Sequence, residues 1–166
     1  MRQRAALPLL VVLSALTAFG AGLSFMTHMH HRALWYVDQS RMAAFDAAYE
    51  SLSDATVVPT SVLGIACTVT LLALYRRAVT VWLLGLTLVL QLAVVVTRIG
   101  TWGTWAQDVR DAGSVVLADG APHPSYLLYM ETNWMRITLV AGYAVLALVT
   151  ATTAVTRAAR PAAVVA

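Results

Sequence analysis

A chain of 166 residues that is 60% hydrophobic and 11% charged has too little polar surface for a soluble domain, because such domains are about 45–50% apolar and about 25% charged. Its net charge of +3 comes from dispersed arginines with no lysine, which excludes a nucleic-acid-binding patch. The one cysteine, Cys67, lies in an apolar run and excludes an internal disulfide or a paired-cysteine metal or redox site.

Crossing a bilayer core of about 30 Å takes about 20 apolar residues at about 1.5 Å each. Four runs meet that length, at about 5–26, 57–75, 78–98 and 135–156. They define a single membrane domain over 1–166, with outer segments at 35–55 and 99–134. In the first run, Arg2 and Arg4 ahead of an apolar stretch also describe a signal peptide, and Gly20, Ala21 and Gly22 would suit a peptidase. The stretch continues to Met26, longer than a signal core, so the expectation is an uncleaved first helix. Met26, His28, Met29, His30 and His31 crowd its far end.

The next segment, from Ser40 to about Asp54, is Ala-rich and helix-prone, with Ser40 as expected N-cap. Met42, Phe45, Tyr49 and Leu52 recur at helical spacing, while Arg41, Asp46, Glu50 and Ser53 lie mostly elsewhere on the wheel. That pattern predicts an amphipathic outer helix. Pro59 is expected in the first turn of the second span. Arg76 and Arg77 make a link short enough that spans two and three are antiparallel neighbours. The third helix is expected to run on through Trp102 and Trp105 to about Ala112, with Gly113 as its stop. Residues 121–124 form a turn, and Ser125 is the expected cap of a helix that continues into the fourth span.

Charge gives an orientation. Arg2, Arg4, Arg76, Arg77, Arg157 and Arg160 flank the spans on one side without acidic neighbours, whereas all eight acids lie within 27–56 and 99–131. Cytoplasmic flanks carry the excess of arginine. The expected architecture is therefore all-α: an integral up-down-up-down four-helix bundle in the cell membrane, both termini cytoplasmic, with an extracytoplasmic amphipathic helix.

Counting at about 1.5 Å per residue from the cytoplasmic anchors brings His28, Asp54, Arg98 and Arg136 to one outer level. Asn133 and Glu131 lie a turn above Arg136, and Trp102 a turn above Arg98. Charges at that depth are costly unless they pair or reach water. The expected ligand-binding set is Arg98, Arg136, Asn133, Trp102, Trp134, Asp54 and Glu131, with Glu50 a further partner for the arginines. The competing reading has the arginines snorkelling to lipid headgroups beside an ordinary aromatic belt. His28 and His31, at i and i+3, are weak metal candidates, because a third ligand must come from His123 or the acids; the expectation is no metal site. No charged residue falls at the middle of a span, and Gln91 is the only strongly polar one there, which argues against a pump or channel. Hydrolase and nucleotide motifs are absent.

Several of these residues carry a resemblance. They are Phe19-Gly20-Ala21-Gly22 followed by His28, then Phe45 and Tyr49, then Val57-Val58-Pro59, and last Asn133-Trp134-Met135-Arg136. In these the chain resembles the anthrone oxygenase-like family of small four-span bacterial membrane proteins, most of them classed as a domain of unknown function. It departs from that pattern at Ala33-Leu34-Trp35-Tyr36, where many relatives have a proline. It departs again at Gly100-Thr101-Trp102-Gly103-Thr104-Trp105, where many have Pro-Asn or Pro-His. For a minority of members the resemblance implies oxidation of polyketide anthrones without a recognised cofactor.

Three functions follow as expectations. The first is non-enzymatic, the binding of a small lipophilic or anionic ligand, with Arg98 and Arg136 facing the anion and Asn133 orienting it. The second is a cofactor-independent or metal-assisted oxygenase of a lipophilic aromatic substrate, with His28 as catalytic base and Trp102, Trp105 and Trp134 lining the pocket. The third is a structural accessory of a membrane complex, with Gly20, Gly22 and Gly85 at helix contacts.

Overall fold

The computed structural model describes residues 2–159. Arg160, and the side chains of Arg2 and Arg4, lie outside the described residues. Helix α1 spans Arg2–Ala33 and passes through a 3-10 turn at Leu34–Tyr36 into α2, Gln39–Leu74. Then come α3 (Val81–Thr97), a π-helical turn (Arg98–Trp102), α4 (Gly103–Ala112) and α5 (Pro124–Ala159). The described residues contain no β-strand beyond one isolated bridge between Val116 and Pro122. Four helical runs are long and apolar enough to cross a membrane, the third being α3 and α4 taken together.

The exterior supports that environment. Phe19, Phe25, Val62, Trp82, Val89, Val96, Val145 and Leu148 all stand exposed. No more than 22% of the most apolar stretch of any of the four runs is buried inside the bundle. Lipid removes the penalty that water would place on such a surface, and within it helices satisfy their own backbone.

One apolar core joins Ala6, Leu10 and Leu13 of α1 to Leu71 of α2, Leu84 of α3, and Ala147 and Ala154 of α5. The start of α1, the end of α2, the start of α3 and the end of α5 therefore meet, so successive long helices run in opposite directions. Ala78 and Val79 of the tight link complete this core, with Ala78 N–H bonded to the Tyr75 carbonyl. That bonded turn moves the start of the third helix from the expected Ala78 to Val81.

Three expectations are corrected. The outer segment is not a separate amphipathic helix; it is the first half of one continuous α2, with Pro59 inside it. Pro59 removes one backbone bond, but the alanines before it favour helix. The expected apolar stripe is only partly inward: Met42 is buried, but Leu52 is 70% exposed and Asp46 is 4% exposed. Asp46 is drawn in because its partners are inside, as shown below. Third, neither serine caps its helix. Asp38 caps α2 by accepting from Ser40 N–H (3.0 Å) and Ser40 Oγ–H (2.8 Å). These bonds hold the Asp38 carboxyl below the usual carboxylate range. His123 caps α5, its Nδ1 accepting from Ser125 N–H at 3.2 Å, while Ser125 Oγ donates to Asp108 at 2.9 Å.

Two connections tie down the end of the bundle that carries the acids. Gln39 Nε2 donates to the carbonyls of Leu34 (3.1 Å) and Val37 (2.8 Å). Its Oε1 accepts from Ser114 Oγ (2.9 Å) and Val115 N–H (3.0 Å). One amide thus clamps the α1–α2 turn to the loop that follows α4. Gln39→Ala leaves these groups without that partner, and a loss of about 1–3 kcal/mol is expected. Hydrogen exchange should quicken at Val115 and across the Leu34–Tyr36 turn in detergent solution. Unchanged protection at both would mean that water replaces the amide without cost.

Candidate ligand site

The site is built on one face of α5. Its buried residues are Tyr126, Tyr129, Asn133, Arg136, Val140, Tyr143, Ala147, Thr150 and Ala154. They alternate three and four apart, the seam of a helix packed into a bundle. In the half near the Arg157 end, that seam carries small and apolar residues. Toward the other end it turns polar. Arg136 is 6% exposed and Asn133 is 0% exposed.

Buried polar atoms without a hydrogen-bond partner concentrate here. They are Arg136 Nε and Nη2, Arg98 Nη1, Asn133 Oδ1, the Tyr129 hydroxyl and Gln91 Oε1. Only Ser14 and Thr80 add to that set among the described residues. Neither Arg98 nor Arg136 makes an ion pair among the described residues. Arg136 nevertheless acts electrostatically on Arg98, Tyr129, Tyr143 and His28. Its guanidinium carbon lies 6.0 Å from the centre of the Tyr129 ring, within cation–π range. Gln91 precedes Arg98 by two helical turns, about 10 Å deeper along α3.

Neighbouring bonds set the level and the orientation. Asn133 Nδ2 donates to His28 Nδ1 at 3.1 Å. That leaves the His28 ring proton on Nε2 and points Asn133 Oδ1 elsewhere. Trp102 is buried, and its Nε1 donates to Thr132 Oγ1 at 3.0 Å, tying the π turn to α5. A π turn uses one extra residue, so everything after it is rotated relative to a continuous α-helix. The Gly103 N–H reaches back five residues to the Arg98 carbonyl. A Cβ at Gly103 would collide with that carbonyl oxygen. Gly103→Ala should therefore cost about 1–3 kcal/mol in thermal unfolding and shift Arg98. An unshifted melting curve would show that the π turn relaxes freely.

A second network lies just beyond. Asp46 accepts from His30 Nε2 at 2.8 Å and from Arg110 Nε at 3.2 Å. Arg110 Nη1 also pairs with Glu50 at 2.8 Å. The Tyr49 ring stacks on His30 at 3.7 Å, and its hydroxyl donates to Thr27 Oγ1 at 2.8 Å. His31 donates Nδ1–H to the Thr27 carbonyl at 2.8 Å and stacks on Tyr129 at 4.2 Å. Packed rings thus connect Asp46 to Tyr129, beside Arg136.

The expected residues divide. Arg98, Arg136, Asn133, Trp102 and His28 come together in this layer. Asp54, Glu131 and Trp134 stand exposed, without a side-chain hydrogen bond or ion pair among the described residues. The expectation that acids would pair with Arg98 and Arg136 is corrected: Glu50 pairs with Arg110, and Asp54 and Glu131 with neither arginine. The reason is rotation about the helix axis. At about 100° per residue, Glu131 and Trp134 lie far around α5 from Arg136. His28 and His31 bond to different groups, and no group of three His, Cys, Asp or Glu among the described residues could hold a metal. Gly20 faces inward, against Tyr143 and Thr60.

Sequence reading missed Tyr129 and Tyr143 and gave no role to the Asp46–Arg110 pair. The tyrosines had a signal, since each is seven residues from Arg136 and so on the same face. Arg110 had none, being 64 positions from Asp46. No family model, no curated protein and no solved structure matches this chain.

Proposed function

We propose that the chain is a multi-pass membrane protein whose outer polar layer binds a small anion. The observation that carries this reading is the buried Arg136 guanidinium beside the half-buried Arg98, with buried N–H groups on both that lack a partner and no carboxylate paired to either among the described residues. A buried cation without a counterion is strongly unfavourable. An anionic ligand would supply both the missing charge and the missing acceptors. Arg76, Arg77 and Arg157 mark the opposite end of the bundle, which supports cytoplasmic termini and an extracytoplasmic site.

The test is a thermal-shift titration of the detergent-solubilised protein with small organic and inorganic anions. At least one should stabilise the wild type. Arg98→Gln with Arg136→Gln should weaken that anion by about tenfold or more, since each charge-assisted bond contributes about 1.5–3 kcal/mol. A folded double variant that binds every anion as the wild type does would remove the reading.

A second reading is favoured by the rings around the layer. Tyr129 and Trp102 belong to one buried cluster beside Arg136. A lipophilic phenol could lie there with its oxyanion against the guanidinium groups, as oxygenation of an anthrone-like substrate by dioxygen requires. This is the activity implied by the resemblance to the anthrone oxygenase-like family. For His28 to take the phenol proton, Asn133 must first release Nδ1, so Asn133→Ala should raise the rate rather than abolish it. Absence of oxygen uptake by the purified protein with anthrone-like phenols would count against this reading.

A further inference from the structure

We infer that the ligand of the buried layer is a carboxylate, lying side-on against Arg136 and carrying a hydrogen-bond donor on the neighbouring carbon. The inference rests on the anion-binding reading above and names the chemistry of its ligand.

The first argument is the edge that is empty. The fully buried nitrogens of Arg136 that lack a hydrogen bond are Nε and Nη2. These two nitrogens share one edge of the guanidinium, and their N–H bonds run nearly parallel. Two oxygens on a single carbon or phosphorus match that edge. A phenolate or a halide offers one acceptor atom and fills half of it. With Arg136 6% exposed, bulk water has little access to the other half.

The second argument separates carboxylate from phosphate. The layer also holds buried acceptors that lack a donor, Asn133 Oδ1 and, deeper, Gln91 Oε1. With Nδ2 donating to His28 Nδ1, Oδ1 is the free end of the Asn133 amide; the exchanged amide would require the His28 proton to move to Nδ1. A phosphate presents additional oxygens, and an oxygen facing Asn133 Oδ1 is repelled. A hydroxyl or amino group beside a carboxylate donates to it instead. The other unclaimed donors, Arg98 Nη1 and the Tyr129 hydroxyl, remain for the outer lone pairs of the carboxylate.

The third argument is size and polarity. The Tyr129 ring, stacked on His31 and clustered with Trp102, forms an aromatic wall at the guanidinium. An apolar group on the acid would pack there. 2-Hydroxy arylacetates and 2-hydroxy fatty acids share that chemistry, one soluble and one from the bilayer.

The test uses the full chain in neutral detergent, with unfolding temperature read against ligand concentration. The probes are phenylacetate, mandelate (phenylacetate with a hydroxyl beside the carboxylate), oleate and inorganic phosphate. Phenylacetate should bind the wild type, mandelate about tenfold more tightly, and phosphate not at all. Oleate binding without the arylacetates would place the carboxylate's source in the bilayer and overturn the neighbouring donor, which oleate lacks. Arg136→Lys keeps the charge and loses the parallel edge, so carboxylate affinity should fall by at least about tenfold. Asn133→Ala should erase the mandelate advantage. Phosphate binding as tightly as phenylacetate, or an unaltered affinity in folded Arg136→Lys, overturns the carboxylate assignment and leaves anion binding standing. Failure of every anion to bind the wild type overturns both. Should Arg136→Lys not fold, the wild-type mandelate-to-phenylacetate ratio decides, and a ratio near unity overturns the inference.

Discussion

Arg136→Met is expected to make the ligand-free protein more stable while abolishing anion binding. Arg136 is buried at the seam of α5, with Nε and Nη2 unpartnered and no acid paired to it. Its guanidinium has given up water and has gained neutral partners, the Tyr129 ring and hydroxyl and Tyr49, against a second, repelling guanidinium on Arg98. Methionine keeps the length of the side chain and removes the charge. Replacement of buried charges by apolar residues of similar volume is often neutral or stabilising by about 1–4 kcal/mol. A gain of about 1–3 kcal/mol is expected here, because Met fills the space less completely than a packed apolar side chain. Thermal or denaturant unfolding in detergent, without added anion, measures it. With a saturating anion the order should reverse, since only the wild type gains binding energy. A ligand-free Arg136→Met protein that is less stable would mean that Arg136 is structural, and the ligand reading would lose its main support.

Asp46→Ala should be the most damaging single change at the acid-bearing end of the bundle. Asp46 is 4% exposed and is, among the described residues, the one carboxylate that holds two partners, His30 and Arg110, from different helices. Its removal leaves His30 Nε2 buried without a partner and Arg110 with only Glu50 and Gln107. Breaking a buried pair costs about 3–5 kcal/mol. Arg110 is partly exposed and can turn to water, so about 2–4 kcal/mol is expected. Asp46→Asn keeps an acceptor for His30 and should cost about half as much. Unfolding curves of both variants give the comparison. Equal stability of Asp46→Ala and wild type would show that the network is incidental to folding.

These two residues show different degrees of legibility. Arg136 could be found from the sequence, because an arginine about 20 residues from the arginine-flanked end of its own helix sits at a known distance along it. Asn133 and His28 came with it by the same count, and the structure joins them at 3.1 Å. Asp46 could not be found this way. Met42, Phe45, Tyr49 and Leu52 make a plausible apolar stripe, yet Leu52 and Phe45 face outward and Asp46 inward. Single exposed apolar side chains are ordinary even on a water-facing surface, so a short apolar stripe does not fix which face of a helix turns inward. Polar partners decide the inward face instead, and His30 and Arg110 are distant in sequence. The same reason explains why Asp54, Glu131 and Trp134 had the right height and the wrong direction.

The amino-acid sequence alone determined the number of long apolar helices, their alternation through short links, the stop at Gly113, and the height of each polar residue. These follow from helix rise, run length and backbone conformation, all of which are local. Tertiary packing alone decided the rotation of each helix about its axis, the π turn at Arg98–Trp102 and the pairing of Asp46 with His30 and Arg110. Rotation is set by contacts between helices, and no local pattern encodes it when the outer surface is free to be apolar.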